Sequence, residues 1–239
     1  KMGLKIMNKN IFIIHGWTYS TKPWTSTVSI LRNRGFNITQ LNVPGLTQKS
    51  QKVFTIEDYV KWLRQELKDE KDPIIIAHSN GGRIALNYLN KYPKSFSKLI
   101  LIGSAGIFDD QPKTSLKNKT FKMLSKTFKP LAKIPIIRKI VYRILGVHDY
   151  NEAPESMKKT LKNMLDSDKE LKIKYNGVET VLLWGEKDTE TPLWMGKKMN
   201  KQISYSKIKV YNEWGHAPYI THPYELANEL TDIIKEAKK

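Results

Sequence analysis

The stretch Ile74-Ile-Ile-Ala-His-Ser-Asn-Gly-Gly-Arg-Ile-Ala-Leu86 decides how this chain is read. A run of β-branched apolar residues enters a single serine with small neighbours, and a helical pattern begins at once. A nucleophilic serine needs this arrangement. A tight strand-to-helix turn presents the hydroxyl, small neighbours let the backbone take the strain, and the helix N-terminus offers an N–H to a developing oxyanion. The pattern reads Ala77-x-Ser79-x-Gly81, with alanine where G-x-S-x-G has its first glycine. Taken alone, the stretch reads equally well as an ordinary Ser-Asn-Gly-Gly loop.

Two further segments bear on that choice. Trp184-Gly-Glu-Lys-Asp188-Thr-Glu-Thr-Pro192 follows an apolar run and places a carboxylate in the next loop. Glu213-Trp-Gly-His216-Ala-Pro-Tyr follows the last such run and places an imidazole just before the closing helix. By itself Asp188 could cap a helix and His216 could sit in a turn. In the order Ser79, Asp188, His216, each after a strand's carboxyl end, the three can converge on one face of a sheet. His216 would take the Ser79 proton and return it to the leaving group, and Asp188 would fix the imidazole tautomer.

The rest of the chain supports such a sheet. Candidate strands are Asn10 to His15, Phe36 to Asn42, Pro73 to Ala77, Leu99 to Gly103, Thr180 to Trp184 and Lys207 to Tyr211. Several are apolar at consecutive positions, as expected of parallel strands covered on both faces. Helical patterns alternate with them: from Thr55, where Asp58 three residues on resembles a capping box, to Asp72-Pro73, then Gly82 to Tyr92, Pro192 to Gln202 and Pro223 to Lys235. The spacing predicts an α/β fold with a mostly parallel sheet of about six strands and helices on both faces. From 107 to 175 no strand is evident. Two basic amphipathic patterns occupy that stretch instead, one through Leu116, Phe121, Leu124, Phe128 and Leu131 and one through Ile136, Ile137, Ile140, Val141, Ile144 and Leu145.

These residues resemble the α/β-hydrolase superfamily, in its serine-nucleophile, cap-containing branch of esterases, lactonases and C–C hydrolases. The resemblance covers essentially the whole chain and implies an α/β-hydrolase core over 1–106 and 176–239 with a helical cap, or lid, inserted at 107–175. Only nine residues precede the first strand, so the antiparallel strands usual at the N-terminus are expected to be missing. His15-Gly16-Trp17 resembles the family's oxyanion-loop motif, which implies an oxyanion hole built from the N–H groups of Trp17 and Asn80. Trp24, Asn42-Val-Pro-Gly45 and Gly215-His-Ala-Pro218 match further family positions. His15, Gly16, Ser104 and Ala217 are the candidates to line a substrate pocket, while His15 and His78 read as structural rather than catalytic. Serine at the nucleophile position argues against the epoxide-hydrolase and dehalogenase members, which need an aspartate there. The implied activity is cleavage of small to medium acyl esters or lactones through an acyl-enzyme. C–C cleavage of a vinylogous diketone is the alternative, and a binding module on the same fold is the non-enzymatic one. An acid displaced to Asp109 or Asp110 is a weaker variant of the site.

Composition narrows the rest. The 239 residues contain no cysteine, which excludes disulfides, thiolate metal sites and a cysteine nucleophile. The five histidines lack zinc-ligand spacing, and no phosphate-binding loop or dinucleotide fingerprint occurs, so neither a metal nor a cofactor is expected. The run Ile11 to Ile14 is too short for a signal peptide or a spanning helix, and a cytoplasmic protein is expected. The formal net charge is +18, carried far more by lysine than by arginine. Between Gln111 and His148 stand ten Lys or Arg and no Asp or Glu. This locates over half of the excess in the expected cap, where three readings compete: a solvated lid face, steering of anionic substrates, or peripheral contact with an anionic membrane. The chain has no nucleic-acid-binding motif or basic–aromatic platform, so a small ester or lactone is the expected partner rather than nucleic acid.

Overall fold

The structure is a computed structural model that describes residues 9–107, 154–171, 173 and 177–236. Contacts divide the chain into two compact units, Lys1–Ile107 with Pro154–Lys239, and Phe108–Ala153. The second unit lies outside the described residues. So do the two basic helical patterns expected of the cap, and Asp109 and Asp110.

The first unit is built on six parallel strands: β1 (Asn10–Ile14), β2 (Asn37–Gln40), β3 (Ile74–His78), β4 (Lys98–Ile102), β5 (Glu179–Gly185) and β6 (Ser206–Tyr211), in the spatial order β2-β1-β3-β4-β5-β6. All six fall where the apolar runs placed them. Strands β3 and β4 are buried at every position, which explains the apolar runs Ile74–Ala77 and Leu99–Ile102, while His78 and Lys98 at their ends are buried with hydrogen-bond partners. Edge strand β6 alternates lysine with apolar residues and is only partly covered. Winding reverses between β1 and β3, and the loops leaving the carboxyl ends of those neighbouring strands diverge to opposite sides, opening a crevice at that edge.

Alternation of side chains sends Ile11, Ile13, Ile74, Ile76, Ile100, Ile102, Val181 and Leu183 to one face. There they meet α1 (Thr25–Asn33), preceded by a short 3₁₀ turn at Lys22–Trp24, and the closing helix α7 (Pro223–Lys235). Helices α2 (Ile56–Glu66), α3 (Asn80–Lys91) and α5 (Leu193–Gln202) complete the layers, α3 packing on β3 and on α2, and α5 on β5 and β6. A one-turn helix α6 (Pro218–Thr221) precedes α7.

Three local results differ from the sequence reading. Helix α2 has its capping box, with Thr55 Oγ1 accepting from Asp58 N at 3.2 Å and Asp58 Oδ2 accepting from Thr55 N at 2.9 Å. It stops at Glu66, short of Asp72-Pro73, because the chain turns there and Asp72 takes a positive φ of 53°. Helix α1 carried no helical expectation: Thr25-Ser-Thr-Val-Ser is rich in poor helix formers, and burial of Thr27, Val28 and Leu31 against α7 overrides their propensity. Helix α4 (Glu155–Ser167) lies within the stretch assigned to the cap, yet it belongs to the unit that holds the sheet. Its Thr160 Oγ1 accepts from Phe54 N at 2.9 Å and its Asn163 Nδ2 donates to Phe54 O at 3.0 Å. Among the described residues no helix is long and apolar enough to cross a membrane.

Candidate active site

Ser79 stands between the last residue of β3 and the first of α3, with φ 50° and ψ −119°. A side chain at positive φ costs roughly 1–3 kcal/mol, so its surroundings must hold it there. They do so through the backbone. Ser79 N donates to Ile102 O at 3.1 Å, and Ser79 O accepts from Gly82 N at 3.0 Å and from Ala105 N at 2.9 Å. The small neighbours have a steric reason. A Cβ on Gly81 would overlap the carbonyl oxygen of Ile14, and one on Gly16 would sit 2.8 Å from His78 Nδ1 and 3.0 Å from Ser79 Cβ. Glycine at these positions lets the end of β1 and the start of α3 close on the serine. Asn80 opens α3, so its N–H is one of the donors that a helix leaves unpaired at its start.

The acid and base come from the loops after β5 and β6. Asp188 is buried, and its Oδ1 accepts from the N–H groups of Glu190 and Thr191, both at 2.9 Å. Its Oδ2 lies 2.9 Å from His216 Nδ1 and 2.8 Å from Thr191 Oγ1. A carboxylate can only accept, so Nδ1 carries the proton and Nε2 of the neutral ring is left as the base. Thr191 Oγ1 is also 2.9 Å from Gly103 O, which ties the acid's loop to the end of β4. Gly103 has φ 46°, and a Cβ there would lie 2.9 Å from Asp188 Oδ2. Burial disfavours the charged His216, but the hydrogen bond and charge of Asp188, with the charge of Glu190, outweigh it and leave the imidazole above its ordinary pKa.

His78 links the two halves. Its Nε2–H donates to His216 O at 2.8 Å, and the two rings are 4.7 Å apart. Burial holds His78 well below its ordinary pKa, with the charge of His216 acting in the same direction, so it is neutral beside the base. The structure thus brings Asp188 and His216 together and sets Ser79 one residue from a ring that contacts His216. Among the described residues Ser79 Oγ and His216 Nε2 form no hydrogen bond; Nε2 has Glu190 Oε2 at 3.3 Å instead.

The remaining sequence candidates occupy distinct places. His15 uses both ring nitrogens locally, with Gly16 O and Thr47 Oγ1 each at 2.8 Å, and burial lowers its pKa against the effect of the Gly16 carbonyl. Ser104 is fully buried, with its Oγ donating to Ala105 O at 2.8 Å. Trp17 is half-buried, and Ala217 packs against the core beside His216.

Sequence reasoning missed a second layer. Arg83, on α3, makes a bidentate pair with Asp168, just past α4, at 2.6 and 2.7 Å, and its Nη1 donates to the side-chain oxygen of Asn80. Asn80 Nδ2 also contacts Met164 Sδ at 3.3 Å. Thr191 and Glu190 escaped notice as well, as did the approach of Gly103 to the acid. Of these only Thr191 left a signal, as the last residue before Pro192 in the acid's loop.

Residues 9–139, which include the serine held at positive φ between a parallel strand and a helix, match a family model described as alpha/beta hydrolase fold. The chain belongs to the α/β-hydrolase family. Among curated relatives of this hydrolase-fold chain, the pimeloyl-[acyl-carrier protein] methyl ester esterase of Aromatoleum aromaticum is 21% identical, covering 96% of this chain and 100% of its own length. The 2-hydroxy-6-oxononadienedioate/2-hydroxy-6-oxononatrienedioate hydrolase 1 of Pseudomonas putida is 23% identical, covering 95% of this chain and 88% of its own length. The solved structure of an esterase from Exiguobacterium antarcticum superposes with a TM-score of 0.68 at 18% identity, covering 96% of this chain and 92% of that one. At that identity the superposition speaks for the fold.

Proposed function

We propose that the protein is a serine hydrolase of carboxylic esters, acting on small to medium acyl esters or lactones through Ser79, His216 and Asp188. The observation that carries this reading is the Asp188–His216 pair at 2.9 Å, formed across two loops at the same sheet edge as a serine held at φ 50°. His216 Nε2 takes the Ser79 proton as Oγ attacks the ester carbonyl, and Asp188 stabilises the imidazolium. The N–H groups of Asn80 and Trp17 receive the oxyanion. The imidazolium then protonates the departing alcohol, leaving an acyl-serine, and a water deprotonated by the same Nε2 releases the acid. Curated relatives named as esterases support ester cleavage, and the Pseudomonas putida relative keeps C–C hydrolysis as the second reading.

Ser79→Ala tests the reading. Turnover of p-nitrophenyl esters should fall on the order of a millionfold, while the thermal transition persists. Unchanged turnover in that variant sinks the mechanism. A panel of short and long esters, lactones and a dienoate diketone then separates the two readings.

A further inference from the structure

The imidazole of His216 is addressed by two carboxylates, one on each nitrogen. Asp188 takes Nδ1 from within the protein, its side chain 1% exposed, while Glu190 Oε2 stands 3.3 Å from Nε2 on a side chain 42% exposed. These two acids stand in different places. Asp188 is enclosed by Thr191 and by two backbone N–H groups, whereas Glu190 faces the nitrogen that must meet substrate. Under the serine-hydrolase reading, on which this inference rests, Nε2 hands its proton to the oxygen of the departing alcohol. That oxygen must come within about 3 Å of Nε2, which brings the first atoms of the alcohol to roughly 6 Å or less from the Glu190 carboxylate.

We propose that Glu190 is a specificity-determining residue on the leaving-group side of the site, favouring esters whose alcohol portion carries a positive charge and disfavouring those whose alcohol is anionic. The physical basis is ordinary Coulomb attraction to a part-buried carboxylate, which is only partly screened for an alcohol charge lying within about a Debye length of 8–10 Å. The preference appears in kcat/KM, because proton delivery and leaving-group departure occur in the same transition state. The contact has a second consequence. A carboxylate facing Nε2 favours the imidazolium, so Glu190 also delays formation of the neutral base as pH rises. The groups facing His216 are Asp188, Glu190 and Thr191 from the loop after β5, and His78 from β3, which burial keeps neutral. Removing the Glu190 charge leaves Asp188 as the remaining anion on the ring.

The test compares butyrylcholine with 3,3-dimethylbutyl butyrate, which has the same shape without the charge, in the wild type and in Glu190→Gln. The ratio of kcat/KM, cationic over neutral, should be about tenfold in the wild type and fall close to one in the variant; Glu190→Asp should keep a ratio above one. The acid limb of kcat/KM for the neutral ester should move to lower pH in Glu190→Gln. In parallel, the imidazole proton resonance of His216, titrated in both proteins without substrate, should show a lower pKa in Glu190→Gln. Equal ratios within twofold, with turnover still lost in Ser79→Ala, overturn the role of Glu190 and leave the serine mechanism standing. Turnover that survives Ser79→Ala overturns the mechanism and this assignment together. An unshifted His216 titration overturns the contact whatever the substrates do.

Discussion

The nucleophile turn and the acid–base loops meet at one edge of the sheet, yet they are held by different physics. Around Ser79 the constraint is shape: a positive φ, glycines at 16 and 81 where a Cβ would strike neighbouring atoms, and backbone hydrogen bonds from β4 and the following loop. Around Asp188 and His216 the constraint is polar: two backbone N–H groups besides His216 donate to one buried carboxylate, and the single Thr191 hydroxyl proton lies within reach of both that carboxylate and the Gly103 carbonyl at the end of β4. A turn held by shape should tolerate loss of its functional group but not added volume. A loop held by hydrogen bonds should keep its fold when an acceptor of the same shape is kept, and lose its function when the charge or the tautomer is lost.

The largest break in this comparison comes at the polar end. Asp188→Asn keeps the volume but presents an N–H₂ or a weaker acceptor to Nδ1, favouring the wrong tautomer, and kcat should fall about 10⁴-fold with little change in fold. Rate measurement beside a thermal melt checks it. Next is the link between α3 and the segment past α4. Arg83 and Asp168 have side chains only 5% and 7% exposed, so Asp168→Ala strands a buried guanidinium and should cost about 3–5 kcal/mol in denaturant unfolding. Replacing both partners with apolar residues should recover most of that. At the shape-held end, Gly81→Ala forces a methyl into the Ile14 carbonyl and should destabilise by about 3 kcal/mol, although no charge or hydrogen-bonding group is altered. The smallest effect isolates the strain itself. Ser79→Gly and Ser79→Ala both lack the nucleophile, but glycine accepts φ 50° freely and should unfold about 1 kcal/mol later than the alanine variant. Equal stabilities there would mean that the turn is relaxed.

The elements were legible to different degrees for stated reasons. Strands β1, β3 and β4 could be read because a strand covered on both faces carries a run of consecutive apolar residues, and parallel pairing with helical crossovers follows from their spacing. Ser79, Asp188 and His216 could be read because each stands in a short loop directly after such a strand. Helix α1 could not, since its stability comes from burial against α7, some 190 residues further along the chain. Asp168 gave no sign of partnering Arg83, because a carboxylate after a helix is most often a solvated one, and only the packing of α4 beside Asn80 and Phe54 encloses it.

By itself the sequence determined the parallel α/β alternation, the order of nucleophile, acid and base, and the small residues the elbow demands, because all of these are local consequences of burial and backbone geometry. Tertiary structure alone decided which groups complete the site. Thr191 on the Gly103 carbonyl, His78 on the His216 carbonyl, Arg83 on Asp168 and Glu190 on Nε2 are meetings between loops or helices distant in sequence. Hydrogen bonds and ion pairs of that kind depend on distances of a few ångströms between elements, and spacing along a chain does not encode such distances.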